Sequence, residues 1–343
     1  MNRRPAAETF LGAPFAAEPG SPPPAGWTPA SAGGRRPGAR NPARFAFLGL
    51  PLYVPYGDEP PAAPAGAPGA GTTAPAPADA VRAAAAGYAG ALEHHDFDLG
   101  GPLVPAGVRA EFFDCGDVLL GGAPQDIAAD LAAGTAAVRD VVRAGAAPLV
   151  VAGDHSAPPV VVRGLAEDRP LDVLHVDAHL DFRDEVAGLR DGYSSPVRRL
   201  RELPQVRTVV QVGLRDVGSA REAEVEAARA AGNLLVRAEE VHAGGAALID
   251  DLARRFDPAH HVYITVDVDG LDPSCAPGTL WPAPGGLWFW QLARLVRAVA
   301  IRCGLAGMDV CELVPARDPQ GHTALAAARL LMIAAGASLR RAS

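Results

Sequence analysis

The chain has 343 residues, 49% of them hydrophobic, which is enough apolar material for one large domain or two modest ones. Its 31 basic residues are all Arg and face 39 acids, giving a net charge of −8 with no basic patch along the sequence, so a non-specific grip on nucleic acid or an anionic membrane is not expected. Pro is abundant, but 17 of the 33 fall within the first 80 positions, which excludes a uniformly low-complexity protein.

From the N-terminus, Met1 to Glu8 includes two arginines but no unbroken apolar segment, and no later run reaches the length of a membrane span. This predicts a cytoplasmic protein. Residues 16–43 and 58–78 are rich in Pro, Ala and Gly and poor in large apolar groups, so they read as irregular. The resulting division is an N-terminal Pro/Ala/Gly-rich segment over 1–43, then a single α/β domain over 44–343 with an insertion at 58–78. Short β-branched or aliphatic runs predict strands over 44–51, 148–151, 173–176, 208–212, 262–266 and 305–310. Longer periodic stretches between them predict helices over 126–144, 219–231, 287–303 and from Thr323 onward, three of them followed by Gly. Alternation of this kind points to βα units around a mainly parallel sheet. The four cysteines, Cys115, Cys275, Cys303 and Cys311, lack CxxC spacing and are expected to be reduced and mostly buried.

In open α/β sheets ligands gather beyond the carboxyl ends of the strands. Three of the predicted strands run directly into metal-type ligands. Gly153-Asp154-His155-Ser156 follows the first, Asp177-Ala178-His179-Leu180-Asp181 the second, and Asp267-Val268-Asp269-Gly270-Leu271-Asp272-Pro273 the third. Asp177, His179 and Asp181 are spaced two apart, as are Asp267 and Asp269, so in extended backbone each set points to one side. Four clustered carboxylates repel one another; two divalent ions would cancel their charge. The mixed carboxylate and imidazole set suits Mn²⁺, with Zn, Fe, Co or Ni as competitors, and a two-metal hydrolase is the natural inference. His94, His95, His242, His260 and His261 have no such company and read as solvated or structural.

The chain resembles the ureohydrolase family of arginases, agmatinases, guanidinobutyrases and related amidinohydrolases. The resemblance is carried by Gly49-Leu50-Pro51, Cys115-Gly116-Asp117, the three segments above, and Met308-Asp309-Val310-Cys311-Glu312-Leu313-Val314-Pro315, in the family's order and closest to agmatinases in wording. It implies a three-layer α/β/α fold with a mainly parallel sheet and two Mn²⁺ ions per subunit. His155, Asp177, Asp181 and Asp267 would hold one ion; Asp177, His179, Asp267 and Asp269 the other. It further implies that a metal-bridging hydroxide attacks the guanidinium carbon, that Asp181 orients it and passes a proton to the departing amine, and that Glu312 pairs with the guanidinium. The products would be urea and an amine, and the protein a homo-oligomer, a trimer or hexamer.

Two stretches depart from the family pattern. Where agmatinase-like members carry a His after the DAHxD motif, this chain has Tyr193 (or, with a gap, Asp191), and no His lies between His179 and His242. Tyr, with an ordinary pKa of about 10, is a poor proton shuttle near neutrality. After Pro277-Gly278 the chain reads Thr279-Leu280-Trp281-Pro282, placing bulk where relatives have Gly and a small hydroxyl residue. Trp281 is therefore expected to shape the entrance and to select a substrate with an apolar or bulky tail, contacting it together with Tyr193 and Glu312. Trp288, Phe289 and Trp290 read as core or subunit interface. Other readings are hydrolysis of a different C–N bond, formimino or amide, and a catalytically weak metal-bound scaffold that binds a ligand or partner.

Overall fold

Strands that read as unbroken apolar runs are those buried on both faces, and the computed structural model has this arrangement. It describes residues 3–4, 8–13, 43–54, 56, 75–121, 126–165 and 169–341. In chain order the elements are β1 (Arg3–Arg4), β2 (Ala43–Leu50), α1 (Pro77–Ala86), β3 (Ala110–Val118), α2 (Ile127–Arg143), β4 (Ala147–Ala152), α3 (Ala157–Gly164), β5 (Leu171–Val176), α4 (Pro196–Arg201), β6 (Val206–Leu214), α5 (Glu222–Ala230), β7 (Leu234–Arg237), α6 (Ala238–Ala253), β8 (His261–Asp267), α7 (Phe289–Cys303), β9 (Leu305–Cys311) and α8 (His322–Arg340). The strands form one sheet in the order β1-β3-β2-β4-β9-β8-β5-β6-β7, parallel throughout except for the short antiparallel β1.

Alternation along each strand feeds two apolar layers. Phe45, Phe47, Leu174, Val176, Ile264 and Val266 pack with α1, α6, α7 and α8, whereas Leu48, Leu50, Val173, Val209 and Tyr263 pack with α2, α3 and α4. The result is a three-layer α/β/α fold. α8 is apolar around most of its circumference because it is enclosed by α1, α7 and β9. Cys115, Cys303 and Cys311 are buried thiols and Cys275 is half-buried.

All six strand regions read from the sequence are present, each with ends shifted by a few residues at most. β3 was not anticipated because Asp114 and Asp117 interrupt its apolar pattern; both are buried and paired with Arg82 of α1. α6 was not anticipated because Gly244 and Gly245 break its period, and Gly245 leaves the helical region at φ 54°. The predicted irregular segments 16–43 and 58–78 lie mostly outside the described residues, apart from Ala43 in β2 and the start of α1. Trp288 and Trp290 are about half exposed and so are not core residues.

Candidate metal centre

The first ligand is placed by a tight turn after β4. A Cβ on Gly153 would lie 2.1 Å from the Leu52 carbonyl oxygen, so only Gly fits. Asp154 then anchors the turn, its carboxylate accepting from the backbone N–H groups of Val54 (2.6 Å) and Ser156 (3.0 Å) and from the Ser156 hydroxyl. Asp154 is therefore a structural residue of the motif, and His155 is its reactive one. The His155 Nδ1 atom lies 2.9 Å from Asp177 Oδ2, 3.2 Å from Asp181 Oδ2 and 3.4 Å from Asp267 Oδ2. On the far side of the ring, Nε2 is 3.0 Å from the Thr265 hydroxyl, which itself donates to Asp309 Oδ1 at 2.6 Å. Nε2 thus carries a proton in either charge state, and Nδ1, which offers a lone pair once deprotonated, faces three carboxylates that outweigh burial and raise the ring well above its ordinary pKa.

The second group forms around His179, whose Nδ1 lies 3.1 Å from Asp269 Oδ2 and 3.4 Å from Asp177 Oδ1. Asp177 belongs to both groups. Asp269 is held by N–H donors from Ala178 to its carboxylate (3.1 Å) and by its own N–H to Asp267 Oδ1 (2.9 Å). Gly270 lets the turn after β8 approach β5, since a Cβ there would stand 2.9 Å from the Asp177 nitrogen. All six sequence-predicted ligands are thereby brought into one small volume at the carboxyl ends of β4, β5 and β8.

Such a set conflicts with itself unless cations are present. Burial, then the charges of Asp269 and Asp177, push Asp267 well above the carboxylate range; burial and Asp177 raise Asp181 to about 7 and also raise Asp269. Burial alone would raise Asp177, but the neighbouring His155, His175 and His179 imidazoles outweigh it and hold it well below its ordinary value. Burial likewise opposes the charging of His179, yet Asp177 and Asp269 push it up to about 12. An imidazole lone pair and four buried carboxylate groups around one space are the donor set of a divalent transition-metal site. The residues fit the group.

Glu312 follows β9 in a left-handed conformation, φ 63°, with its N–H on the Gly153 carbonyl (2.8 Å) and its Oε1 accepting from the His155 N–H (3.0 Å). It therefore borders the cluster. Burial, then Asp154, raise it to about 8. Tyr193 packs against Tyr56, ring centroids 4.5 Å apart, and the Tyr56 hydroxyl accepts from the Ser194 N–H at 2.8 Å. Trp281 is 65% exposed on the loop after β8, and among the described residues no hydrogen bond or ring contact ties it to the cluster.

Sequence reading missed Thr265 and Asp309, which support His155, the nearby His175 and Tyr56, and also Arg215. The Arg215 guanidinium donates to the carbonyls of Gly213 (2.9 Å), Asp269 (2.5 Å), Leu271 (3.2 Å) and Ala283 (2.7 Å), stapling the Asp269 turn to the loop that carries Trp281. Hydrogen bonds from a charged donor are worth roughly 1.5–3 kcal/mol each and are not additive. Arg215→Ala is expected to lower stability by about 2–3 kcal/mol in urea denaturation. An unchanged midpoint would show that these carbonyls find other partners.

A model of the arginase family matches residues 63–336. The chain is 34% identical over 220 residues to proclavaminate amidinohydrolase of Streptomyces clavuligerus, covering 63% of this chain and 69% of that one. It is 39% identical over 199 residues to guanidinopropionase of Pseudomonas aeruginosa, covering 56% of this chain and 61% of the relative. The solved structure of proclavaminate amidinohydrolase superposes with a TM-score of 0.72 at 25% identity, covering 99% of this chain and 100% of the other. Formimidoylglutamase of Bacillus subtilis shares the fold, with a TM-score of 0.69 at 22% identity over 88% of each chain. Motif order, sheet and ligand cluster agree with the family match over most of the sequence, and the chain belongs to the arginase family.

Proposed function

We propose that this protein is a Mn²⁺-dependent amidinohydrolase that cleaves a guanidino compound to urea and an amine. The observation that carries the reading is the convergence of His155, Asp177, His179, Asp181, Asp267 and Asp269 with Glu312 at the border of the same space. His155, Asp177, Asp181 and Asp267 would hold one divalent ion and Asp177, His179, Asp267 and Asp269 a second, supplying Lewis acidity and an acidified water when bound.

The chain's own residues divide the remaining work. Glu312 spends Oε1 on the His155 N–H, which leaves Oε2 to accept from a planar guanidinium. Asp181 presents its carboxylate at the cluster and is the group placed to hold a proton bound for the departing nitrogen. Tyr193 packs on Tyr56 in the stretch where the family resemblance implies a His, and proton transfer is then left to Asp181. Trp281, a large aromatic presented to solvent on a loop, is available to a substrate's apolar or bulky tail. The substrate class is an agmatine-like compound, a guanidino acid or a guanidino-bearing metabolite; the names of the similar proteins support guanidino substrates. A cytoplasmic homo-oligomer, trimer or hexamer, completes the reading, with light scattering as its test.

The experiment is metal analysis together with urea release across a panel of guanidino compounds. Ammonia or formamide without urea would replace this reading with hydrolysis of another C–N bond. A preference for unsubstituted agmatine over bulkier tails would remove the role given to Trp281. Glu312→Gln, which keeps the His155 contact but loses the charge, is expected to lower kcat/KM about 10- to 100-fold. Wild-type kcat/KM in that variant would place guanidinium recognition elsewhere.

A further inference from the structure

One step down the strands from the ligands lies a second row that is polar, fully buried and in register. Asp309 of β9 pairs with Thr265 of β8, Thr265 with His175 of β5, and His175 with Gln211 of β6. Side chains alternate along a strand, so this row shares the face of Asp177 and Asp267, two residues further on. Asp309 and Thr265 serve His155, as described above. The function assigned so far leaves His175 and Gln211 without a role.

Their hydrogen bonds settle which way each group faces. The Leu180 carbonyl can only accept, and it lies 2.8 Å from Gln211 Nε2, so the amide turns its NH₂ there. Its oxygen then accepts from Asn233 Nδ2 at 2.9 Å. The second N–H of the same NH₂ faces His175 Nδ1 at 3.4 Å, which makes Nδ1 an acceptor and leaves the imidazole proton on Nε2. That Nε2 meets no hydrogen-bond acceptor in good geometry among the described residues, and it stands 3.3 Å from Asp177 Oδ2. The ring cannot easily swing away, because it stacks on His155 with centroids 5.0 Å apart and planes 11° apart. Asp177 is also the residue common to both ligand groups, its Oδ1 facing His179 and its Oδ2 facing His155.

We propose that Gln211 and His175 form a positioning relay in which the amide fixes the imidazole tautomer and the Nε2–H, 3.3 Å from Asp177 Oδ2, holds Asp177 between the two halves of the metal cluster. His175 is thereby a positioning residue and not a ligand. A donor behind a shared carboxylate affects chiefly the second ion, because a carboxylate free to rotate can still serve one. Removing partners that orient a ligand costs roughly 10- to 100-fold in metal affinity.

The inference rests on reading Asp177 as a metal ligand, so Mn²⁺ binding to the wild-type protein is measured first, by calorimetry and by the electron paramagnetic resonance signal of a spin-coupled Mn pair. His175→Phe keeps the ring stack and removes the donor. It is expected to retain the wild-type circular dichroism, to bind the second Mn²⁺ roughly 10- to 100-fold more weakly and to lose the coupled signal at metal concentrations that fill the wild type. His175→Gln, whose amide nitrogen reaches the place of Nε2, is expected to restore most of that affinity. In the unaltered metal-free protein, ¹⁵N resonances of His175 should show the Nε2-protonated tautomer, a readout independent of whether any variant folds. Wild-type affinity and coupling in His175→Phe, or an Nδ1-protonated His175, overturns the relay alone. A wild-type protein that binds no Mn²⁺ overturns the metal-site reading and the relay with it.

Discussion

Asp181→Asn is expected to reduce urea release by roughly 10²- to 10⁴-fold, the range associated with loss of a positioned acid–base group. Asp181 sits at φ 50°, a left-handed conformation that Asn tolerates well, and its carbonyl accepts from the Val197 N–H at the start of α4. The substitution therefore preserves shape and backbone while removing the charge that faces His155 Nδ1 at 3.2 Å. Metal affinity falls as well, so the assay is run at saturating Mn²⁺ and again after metal analysis of the variant. Loss of turnover with an unchanged melting temperature supports the hydrolase reading. Full turnover would remove Asp181 from the chemistry. If the wild type releases no urea from any guanidino compound but Asp181→Asn still binds the same partner protein, the scaffold reading takes over.

Arg82→Met is expected to destabilise the fold by about 3–5 kcal/mol, the range for breaking a buried ion pair from one side. Arg82 is buried on α1 and forks onto Asp114, with Nε at 2.9 Å and Nη2 at 3.0 Å, while Nη1 reaches Asp117 at 2.7 Å and Asp79 at 3.0 Å. Its guanidinium also lies over the Phe47 ring, 4.8 Å from the centroid. Burial alone would lower its pKa, but the Asp114 and Asp117 carboxylates outweigh that and hold it above its ordinary value. Met fills much of the volume and takes the guanidinium away from the buried Asp114 and Asp117 carboxylates. Because a domain's whole stability is about 5–15 kcal/mol, a loss of this size is visible directly in a thermal or urea melt. The companion Arg82→Met/Asp114→Asn, which also removes the more buried charge, should recover part of the loss. A single variant that melts like the wild type would show that water reaches Asp114 and solvates it.

How much of this was legible in the sequence follows from where each residue sits along the chain. The six candidate ligands were legible because each comes soon after an apolar strand, but the two-residue spacing did not act through extended backbone as expected: Asp177–Asp181 leaves β5 through a bend with Asp181 at φ 50°, and Asp269 lies in a 3-10 turn. Glu312 was legible as the acid after the last strand, although its left-handed backbone and its bond to the His155 N–H were not. Arg82 and Asp114 are 32 residues apart, and within the linear pattern Asp114 looks like an interruption of β3; only the docking of α1 against that strand turns it into a buried partner. Tyr56 comes close to the site because Gly192 leaves room for its ring, a contact spanning well over a hundred residues.

The sequence by itself determined the α/β class, the strands buried on both faces and the identity of the candidate ligands, since periodicity and residue type are local properties. Tertiary structure decided everything that depends on register between strands distant in sequence. The polar row of Asp309, Thr265, His175 and Gln211 is scattered over more than a hundred positions and becomes contiguous only when β9, β8, β5 and β6 align. Parallel pairing carries no local signature of its offset, because each strand meets its neighbour through a crossover and not a tight turn. For that reason the candidate ligands could be named from the chain alone, while the polar row behind them could not.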